Sequence, residues 1–215
     1  FSYDSGNQYS FGKTANASTS CAIYTLPINE SFAAGILPNC WVITDNVGNG
    51  QTWTIGSFTP SSNVPALTAP YAYLDSDGYG YGNSQNSDLI TPELNLSSFT
   101  SVNLYFKHFY RHYTGSTAKL SYSIDGGNTW TQISSWSATT TNPLVFAQAI
   151  AAVAGQASVK FKWNFTGNWG YYWAIDDIAI TGSSSSVVLN VSPSNQNVTA
   201  AAGSTSFTVT SNASW

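Results

Sequence analysis

Two adjacent carboxylates, Asp176 and Asp177, stand inside Trp173-Ala174-Ile175-Asp176-Asp177-Ile178-Ala179-Ile180, a run that otherwise reads as a buried strand. Successive strand residues point to opposite faces, so one of the two is expected to face inward. A buried, unpaired carboxylate costs several kcal/mol even after relaxation. An Arg or Lys, a group of backbone N–H donors or a metal ion has to compensate it. Lys and Arg together number only 6 in 215 residues. A hard cation with oxygen ligands, such as calcium, therefore becomes a candidate. The alternative is a strand edge with one Asp in water and the other hydrogen-bonded to a turn.

A second acidic pattern is Asp75-Ser76-Asp77-Gly78-Tyr79-Gly80. Alternate carboxylates ahead of a glycine are how a loop wraps calcium, but an EF-hand needs a Glu at its twelfth position. Asn86 stands there, and Asp88 is the nearest substitute. The alternative is a solvated, tight, glycine-rich loop.

His108 and His112 are the only histidines, four residues apart. Phe109 stands where the zincin helix needs a Glu, and Val102–Tyr113 reads as a strand. On a strand that spacing is about 13 Å, too far for one zinc. Cross-strand partnership is the expectation. No Gly-x-Ser-x-Gly elbow is present, and neither Cys has a plausible His partner. A glycosidase would need two positioned carboxylates, and the few acids are mostly engaged by loops and the candidate ion site. The expectation is a chain without enzyme activity.

Aromatic recognition is the other chemistry the sequence offers. Trp169-Gly170-Tyr171-Tyr172-Trp173 and Tyr79-Gly80-Tyr81 place rings beside glycines. Tyr79, Tyr81, Trp169 and Tyr171 are the candidate ligand-binding residues, stacking on sugar faces while Asn and Ser serve hydroxyls. The alternative is that alternate rings fill a core.

Composition suits an extracellular β-sandwich, a class that often presents aromatics at binding surfaces. Charged residues make up 7 % and aromatics 15 %, against a usual charged share of about a quarter. This is not a disordered profile, which combines high charge with few aromatics. A net charge of -4 leaves no basic stripe for nucleic acid. No apolar run reaches the length of a membrane span. No signal peptide and no Met are present, so a mature or excised segment of a longer, secreted or cell-surface protein is expected. Cys21 and Cys40 lie 19 positions apart without CxxC or His company. In an exported domain the expected reading is one disulfide, the other being two free buried thiols.

Helical signals are nearly absent. Val145–Val153 reads as a helix or equally as a strand followed by a turn. Elsewhere short runs rich in aromatic and β-branched residues alternate with turn residues, the all-β pattern. Expected strands are 41–44, 52–55, 71–74, 87–90, 101–113, 118–124, 129–134, 158–165 and 172–181. Asp125-Gly126-Gly127-Asn128 predicts a hairpin, because Asp-Gly and Gly-Gly supply positive φ. A boundary is expected at Gly182, with residues 183–186 as a Ser-rich linker. Residues 187–215 carry no charge and hold two alternating strands, 187–191 and 205–210. That stretch is too short to fold alone.

Six motifs occur in order: Leu26-Pro27-Ile28-Asn29-Glu30-Ser31-Phe32, Leu37-Pro38-Asn39-Cys40-Trp41, Asp45-Asn46-Val47-Gly48-Asn49-Gly50-Gln51-Thr52-Trp53, Asp88-Leu89-Ile90-Thr91-Pro92-Glu93-Leu94, Ser123-Ile124-Asp125-Gly126-Gly127-Asn128-Thr129-Trp130, and Trp173-Ala174-Ile175-Asp176-Asp177-Ile178. Together they make residues 22–182 resemble the MAM-like jelly-roll domains of secreted bacterial proteins, namely cleaved adhesin domains of gingipain-type haemagglutinins and choice-of-anchor J domains. The resemblance implies a structural calcium held by Glu30, by Asp45 with Asn49, and by Asp176 or Asp177. Leu189-Asn190-Val191-Ser192-Pro193 through Phe207-Thr208-Val209-Thr210-Ser211-Asn212-Ala213-Ser214-Trp215 resembles the start of a BACON-type Ig-like domain of Bacteroidetes glycan-handling proteins.

The expected architecture is a two-sheet antiparallel jelly-roll sandwich followed by a partial Ig-like β module, with residues 1–21 as an extension or the end of a preceding module. The expected function is a non-catalytic, calcium-stabilised adhesion or binding module for a glycan or an extracellular protein surface, with contacts to neighbouring domains of its parent. The rival expectations are an accessory domain of a secreted protease or glycosidase and a spacer in a surface fibre.

Overall fold

The structure, a computed structural model, describes residues 21–184, 189–195 and 204–211. The expected 1–21 extension therefore lies outside the described residues, apart from Cys21. The strands are β1 (Ile28–Glu30), β2 (Val42–Asp45), β3 (Thr54–Gly56), β4 (Tyr71–Asp75), β5 (Ser84–Ile90), β6 (Phe99–Arg111), β7 (Thr117–Ser123), β8 (Thr131–Trp136), β9 (Leu144–Ala149), β10 (Lys160–Asn168), β11 (Tyr172–Ser184), β12 (Leu189–Ser192) and β13 (Thr208–Ser211). After β9 comes one 3-10 turn at Ala151–Val153. The ambiguous Val145–Val153 segment is thus a strand and then a turn.

Two antiparallel sheets form the all-β sandwich. One has the order β3-β4-β11-β6-β9, with β1 sharing an edge of β11 with β4. The other has the order β2-β5-β10-β7-β8. The jumps in strand number between neighbours are those of a jelly roll rather than a meander.

The alternation in the sequence drives this layering. In β10, Phe161, Trp163 and Phe165 are fully buried, while Lys160, Lys162, Asn164 and Thr166 between them are only partly covered. In β6, Val102, Leu104, Phe106, His108 and Tyr110 turn inward. Trp163 packs edge-on to Phe106 at 5.5 Å and stacks on Trp41 at 6.1 Å, joining the sheets through aromatic contacts.

The expected hairpin joins β7 to β8. Gly126 and Gly127 take φ of 73° and 103°. The Asp125 carboxylate closes the turn by accepting the Thr129 N–H at 2.9 Å and the Ser123 and Thr129 hydroxyls at 2.6 Å each. These donors hold its pKa well below the usual carboxylate range.

Part of the outer face of the first sheet is covered. The segment 57–70 lies across it: Phe58 stacks on Tyr73 at 4.7 Å, Tyr71 donates to the Phe58 carbonyl, and Tyr172 donates to the Asn63 carbonyl. Asn142 ties the same segment down through the Val64 carbonyl and the Ala66 N–H, at 2.7 Å each.

At its C-terminal end β11 continues through Ser183 and Ser184, which pair with Ser101 and Phe99 of β6. The strand therefore takes up the first half of the expected 183–186 linker. Gly182 permits this approach, since a Cβ there would stand 2.5 Å from the Ser101 carbonyl oxygen. Strands β12 and β13 pair with each other in a two-stranded sheet of their own.

Cys21 and Cys40 form a disulfide, which joins the segment ahead of β1 to the entry of β2. Closing a loop of this length contributes about 3 kcal/mol in the chain-entropy model. The Cys21→Ser/Cys40→Ser double variant is expected to lose about that much stability in urea titrations. Two alkylatable thiols in mass spectra of the unreduced protein would rule the bond out.

Candidate functional site

Three loops converge at one end of the sandwich: 76–83 after β4, 112–116 after β6 and 169–171 before β11. Their side chains build a contiguous ridge of rings. Tyr81, 83 % exposed, meets Trp169 edge-on at 5.4 Å. Trp169 meets Tyr113 at 5.7 Å, and Tyr113 meets Tyr171 at 5.5 Å. Trp169 and Tyr113 are 39 % and 42 % exposed. The guanidinium of Arg111, at the end of β6, lies 3.6 Å from the centroid of the Tyr171 ring.

A buried polar seam supports the ridge. Ser116 is held by the Tyr110 hydroxyl at 2.8 Å and donates to the Tyr113 carbonyl at 2.7 Å. Ser76 accepts the Gly170 N–H at 2.8 Å and donates to the Gln85 side-chain oxygen. The Tyr171 carbonyl accepts the backbone N–H groups of Ser76 and Asp77 at 2.9 and 3.1 Å. Ser76, Ser116 and Gln85 are all buried. The loops meet only because small residues stand at the crossing: a Cβ at Gly170 would lie 2.8 Å from the Ser116 Cβ. Trp169 adopts φ of 54°, which turns its ring out of the strand direction.

Of the four aromatic residues expected to bind ligand, Tyr81, Trp169 and Tyr171 therefore come together. Tyr79 is half-buried instead: its hydroxyl donates to the Thr52 carbonyl at 3.3 Å and its own carbonyl accepts Asn83 Nδ2 at 2.7 Å, so it braces the loop. Sequence reasoning missed Tyr113 and Arg111. The only available signal was the Tyr-Thr-Gly turn after a long aromatic strand.

The paired carboxylates do something other than simple alternation predicts. Asp176 stands opposite Lys107 of β6 and Ala179 opposite Tyr105, so Asp177 and Ile178 together face the single residue Phe106. This is a β-bulge. Asp177 takes φ of 51°, a conformation Asp tolerates better than most residues. Its N–H donates to the Asp176 carboxylate at 2.8 Å. Trp173 and Ile175 face the core before the bulge and Ile178 and Ile180 after it. Neither carboxylate thus enters the sandwich interior, contrary to the alternation argument, because the bulge breaks the period. Asp176 is buried, 1 % exposed, on the outer face, where segment 57–70 covers it. That burial raises its pKa to about 6, against the Asp177 N–H and Lys107, which favour the charged form.

Asp177 pairs with Lys107 at 2.8 Å. It also lines a shallow surface depression of about 310 Å³ together with Asn29, Glu30, Ser31 and Tyr105. Glu30 accepts the Phe32 N–H at 2.5 Å. The first and last strands thus bring Glu30 and Asp177 to one place, as neighbours in the register Glu30↔Ile178.

Asp45 and Asn49, which the family resemblance groups with them, are elsewhere, as is the separate candidate set of Asp75, Asp77 and Asp88. Asp45 and Asn49 belong to the β2 side of the second sheet. Asp45 accepts the N–H groups of Val47, Gly48 and Gly50 at 3.0, 2.8 and 2.6 Å, which lowers its pKa, and Asn49 donates to the Ser84 carbonyl at 2.8 Å. Asp75 accepts the Gly78 N–H at 3.1 Å, and burial raises its pKa. Asp77 is exposed. Asp88 is on the second sheet, 3.6 Å from the Lys162 amine and hydrogen-bonded to Asn46 and Asn164. The 75–88 set is therefore split between sheets. Among the described residues no three His, Cys, Asp or Glu side chains gather around a common point.

His108 is a core residue. Its Nδ1 accepts the Trp173 indole N–H at 3.1 Å across the strands, and burial lowers its pKa to about 3. His112 instead contacts the Tyr110 hydroxyl at 3.2 Å.

No family model and no curated protein matches this sequence. Solved structures share the fold. The K1 cleaved adhesin domain of Lys-gingipain from Porphyromonas gingivalis W83 superposes with a TM-score of 0.57 at 19 % identity, over 74 % of this chain and 99 % of that one. The K3 cleaved adhesin domain of the same protein gives 0.53 at 21 %, over 71 % and 95 %. TmCBM61, solved in complex with β-1,4-galactotriose, gives 0.51 at 16 %, over 72 % and 95 %.

The raised pKa of Asp176 has a definite sign. Between the ordinary carboxylate pKa of 3.8 and about 6 the folded state binds more protons than the unfolded state, so this group's contribution falls as pH rises through that window. Asp176→Asn keeps the acceptor for the Asp177 N–H and removes the buried charge. In EDTA the variant is expected to match the parent near pH 4 and to exceed it by up to about 3 kcal/mol at pH 7. A pH-independent difference in urea midpoints would contradict this.

Proposed function

We propose that this chain is a non-catalytic binding module that works outside the cell and holds a glycan on the ridge of Tyr81, Trp169, Tyr113 and Tyr171. The observation that carries the reading is three large rings left exposed in mutual contact on a rigid polar seam. Exposed rings in mutual contact, rather than scattered singly, are the kind of surface that marks a binding site. Rings fixed by packing bind without a large ordering cost. The fold is shared with adhesin domains and with a protein solved in complex with β-1,4-galactotriose, which supports the class of ligand. The disulfide supports an oxidising compartment, and no helix among the described residues is long and apolar enough to cross a membrane. Residues 187–215 are read as the opening of a further Ig-like module, on the pairing of β12 with β13.

Glycan arrays probed with the parent chain and with Trp169→Ala test the reading, followed by titration of the best hit and of β-1,4-galactotriose. Removing a central ring is expected to weaken binding by at least about tenfold, with unchanged melting. Equal binding by the two proteins would remove the ridge from the function.

A calcium ion in the depression between Glu30 and Asp177 belongs to the same reading. Two carboxylates flank it beside Asn29 and Ser31, which suits a hard cation, and the ion would have to displace Lys107 from Asp177. An ion bound only by the folded state raises its stability. Melting in calcium is expected several degrees above melting in EDTA, and a Glu30→Gln/Asp177→Asn variant should lose that difference. Identical melts of the parent would leave the fold without an ion.

A further inference from the structure

We infer that the ridge selects a sugar bearing a carboxylate, and that Arg111 is the residue that reads it; this rests on the glycan reading of the ridge. Arg111 is the chain's only arginine. Among the described residues three of the five cationic side chains are in ion pairs: Lys107 with Asp177, Lys160 with Glu93 and Lys162 with Asp88. Arg111 has neither a carboxylate partner nor a hydrogen-bond acceptor there, although a guanidinium presents five N–H donors.

Its position is nevertheless fixed. The backbone of β6 places Arg111 opposite Tyr172, and the guanidinium lies 3.6 Å over the Tyr171 ring. Stacking uses the face of the group and leaves the in-plane donors free, the arrangement that suits a planar, bidentate partner. The nearest acid in the same row is Asp75, across Tyr172 on β4. Two strand spacings, about 10 Å, separate their backbones, and their side chains form no ion pair. Asp77, in the loop that follows, is exposed to solvent.

The ridge thus ends in an ordered positive charge with unfilled donors, on a protein whose net charge is -4. A neutral sugar would leave that charge unused. A sugar carboxylate lying next to the Tyr171–Tyr113 rings would receive a charge-assisted pair of hydrogen bonds while its ring face stacks. Uronic acids and sialic acids share this chemistry.

The test compares probes that differ only in charge. Polygalacturonate is titrated against its fully methyl-esterified form, and sialyllactose against its carboxyl methyl ester, with the parent chain, Arg111→Gln, Arg111→Lys and Trp169→Ala. The parent is expected to bind at least one acidic probe about tenfold more tightly than its neutral counterpart. Arg111→Gln should bind both members of that pair equally. Arg111→Lys should recover part of the preference, since it keeps the charge and loses the fork. Added salt should weaken the acidic probe in the parent and leave the neutral one unchanged. The pair that responds identifies the sugar as a uronate or a sialate.

Equal binding of the acidic and neutral members of both pairs, abolished in each case by Trp169→Ala, would overturn the role of Arg111 while leaving the ridge as a glycan site. Absence of binding to every probe and to the array, with no effect of Trp169→Ala, would overturn the glycan reading and this inference with it. Melting curves confirm that each variant is folded.

Discussion

Strand β11 borders β4, β1 and β6, so its side-chain phase fixes which residues of the whole first sheet meet the core. It carries Trp173 and Ile175 inward, then Ile178 and Ile180, an interval that a regular strand cannot satisfy. In a regular, unbulged strand Asp177 and Ala179 would enter the core and the two isoleucines would face out. The bulge at Asp177 resolves this. It needs a residue that tolerates positive φ and an acceptor for the N–H that leaves the ladder, and Asp177 and Asp176 supply these in turn. The carboxylate pair is therefore first a device for re-phasing the strand. Its second consequence is to present Asp177 at the surface beside Glu30, where a cation or Lys107 can meet it.

The same economy governs the other end of the sheet. A ridge of large rings on loops would collapse or fray if the loops were independent. Here Ser76, Ser116 and Gly170 bring three loops to close contact, and every buried hydroxyl of the seam has a partner. A fully satisfied polar network specifies one arrangement more sharply than apolar packing does. The rings are consequently presented by a rigid base, and Arg111 is positioned by both β6 and the Tyr171 face.

The strands were legible because the period-two pattern is clean: β10 reads polar-aromatic-polar for seven residues, and its burial follows. The Asp-Gly-Gly turn was legible because its conformation demands those residues. The disulfide was one of two readings until the fold brought its ends together. What could not be read was anything set by loops crossing in space. Segment 57–70 has no periodic signal, yet it is what buries Asp176 from the outer side. Tyr113 looked like the end of a strand, and its partnership with Trp169 depends on Gly170 approaching Ser116. The acids were grouped by type, whereas the two sheets keep Asp75 apart from Asp88 and Asp45 apart from Glu30 and Asp177.

Two buried titratable groups pull the stability of the domain in opposite directions. His108 has a folded pKa of about 3 because its ring lies among Phe106, Trp136 and Trp173. Its contribution is present above the unfolded value of 6.5 and is lost as pH falls toward 3. Asp176 has the reverse slope, since its folded pKa of about 6 lies above the unfolded 3.8. Between pH 4 and 6 the two slopes offset one another, so this part of the curve is flatter than either group alone would make it. Below pH 4 the histidine slope is joined by those of Asp125 and Asp45, whose folded pKa values lie below the ordinary carboxylate value. The core imidazole, on β6 between the aromatic centre of the sandwich and the strand that carries the bulge, thus shares the response to acid with the loop carboxylates of Asp45 and Asp125.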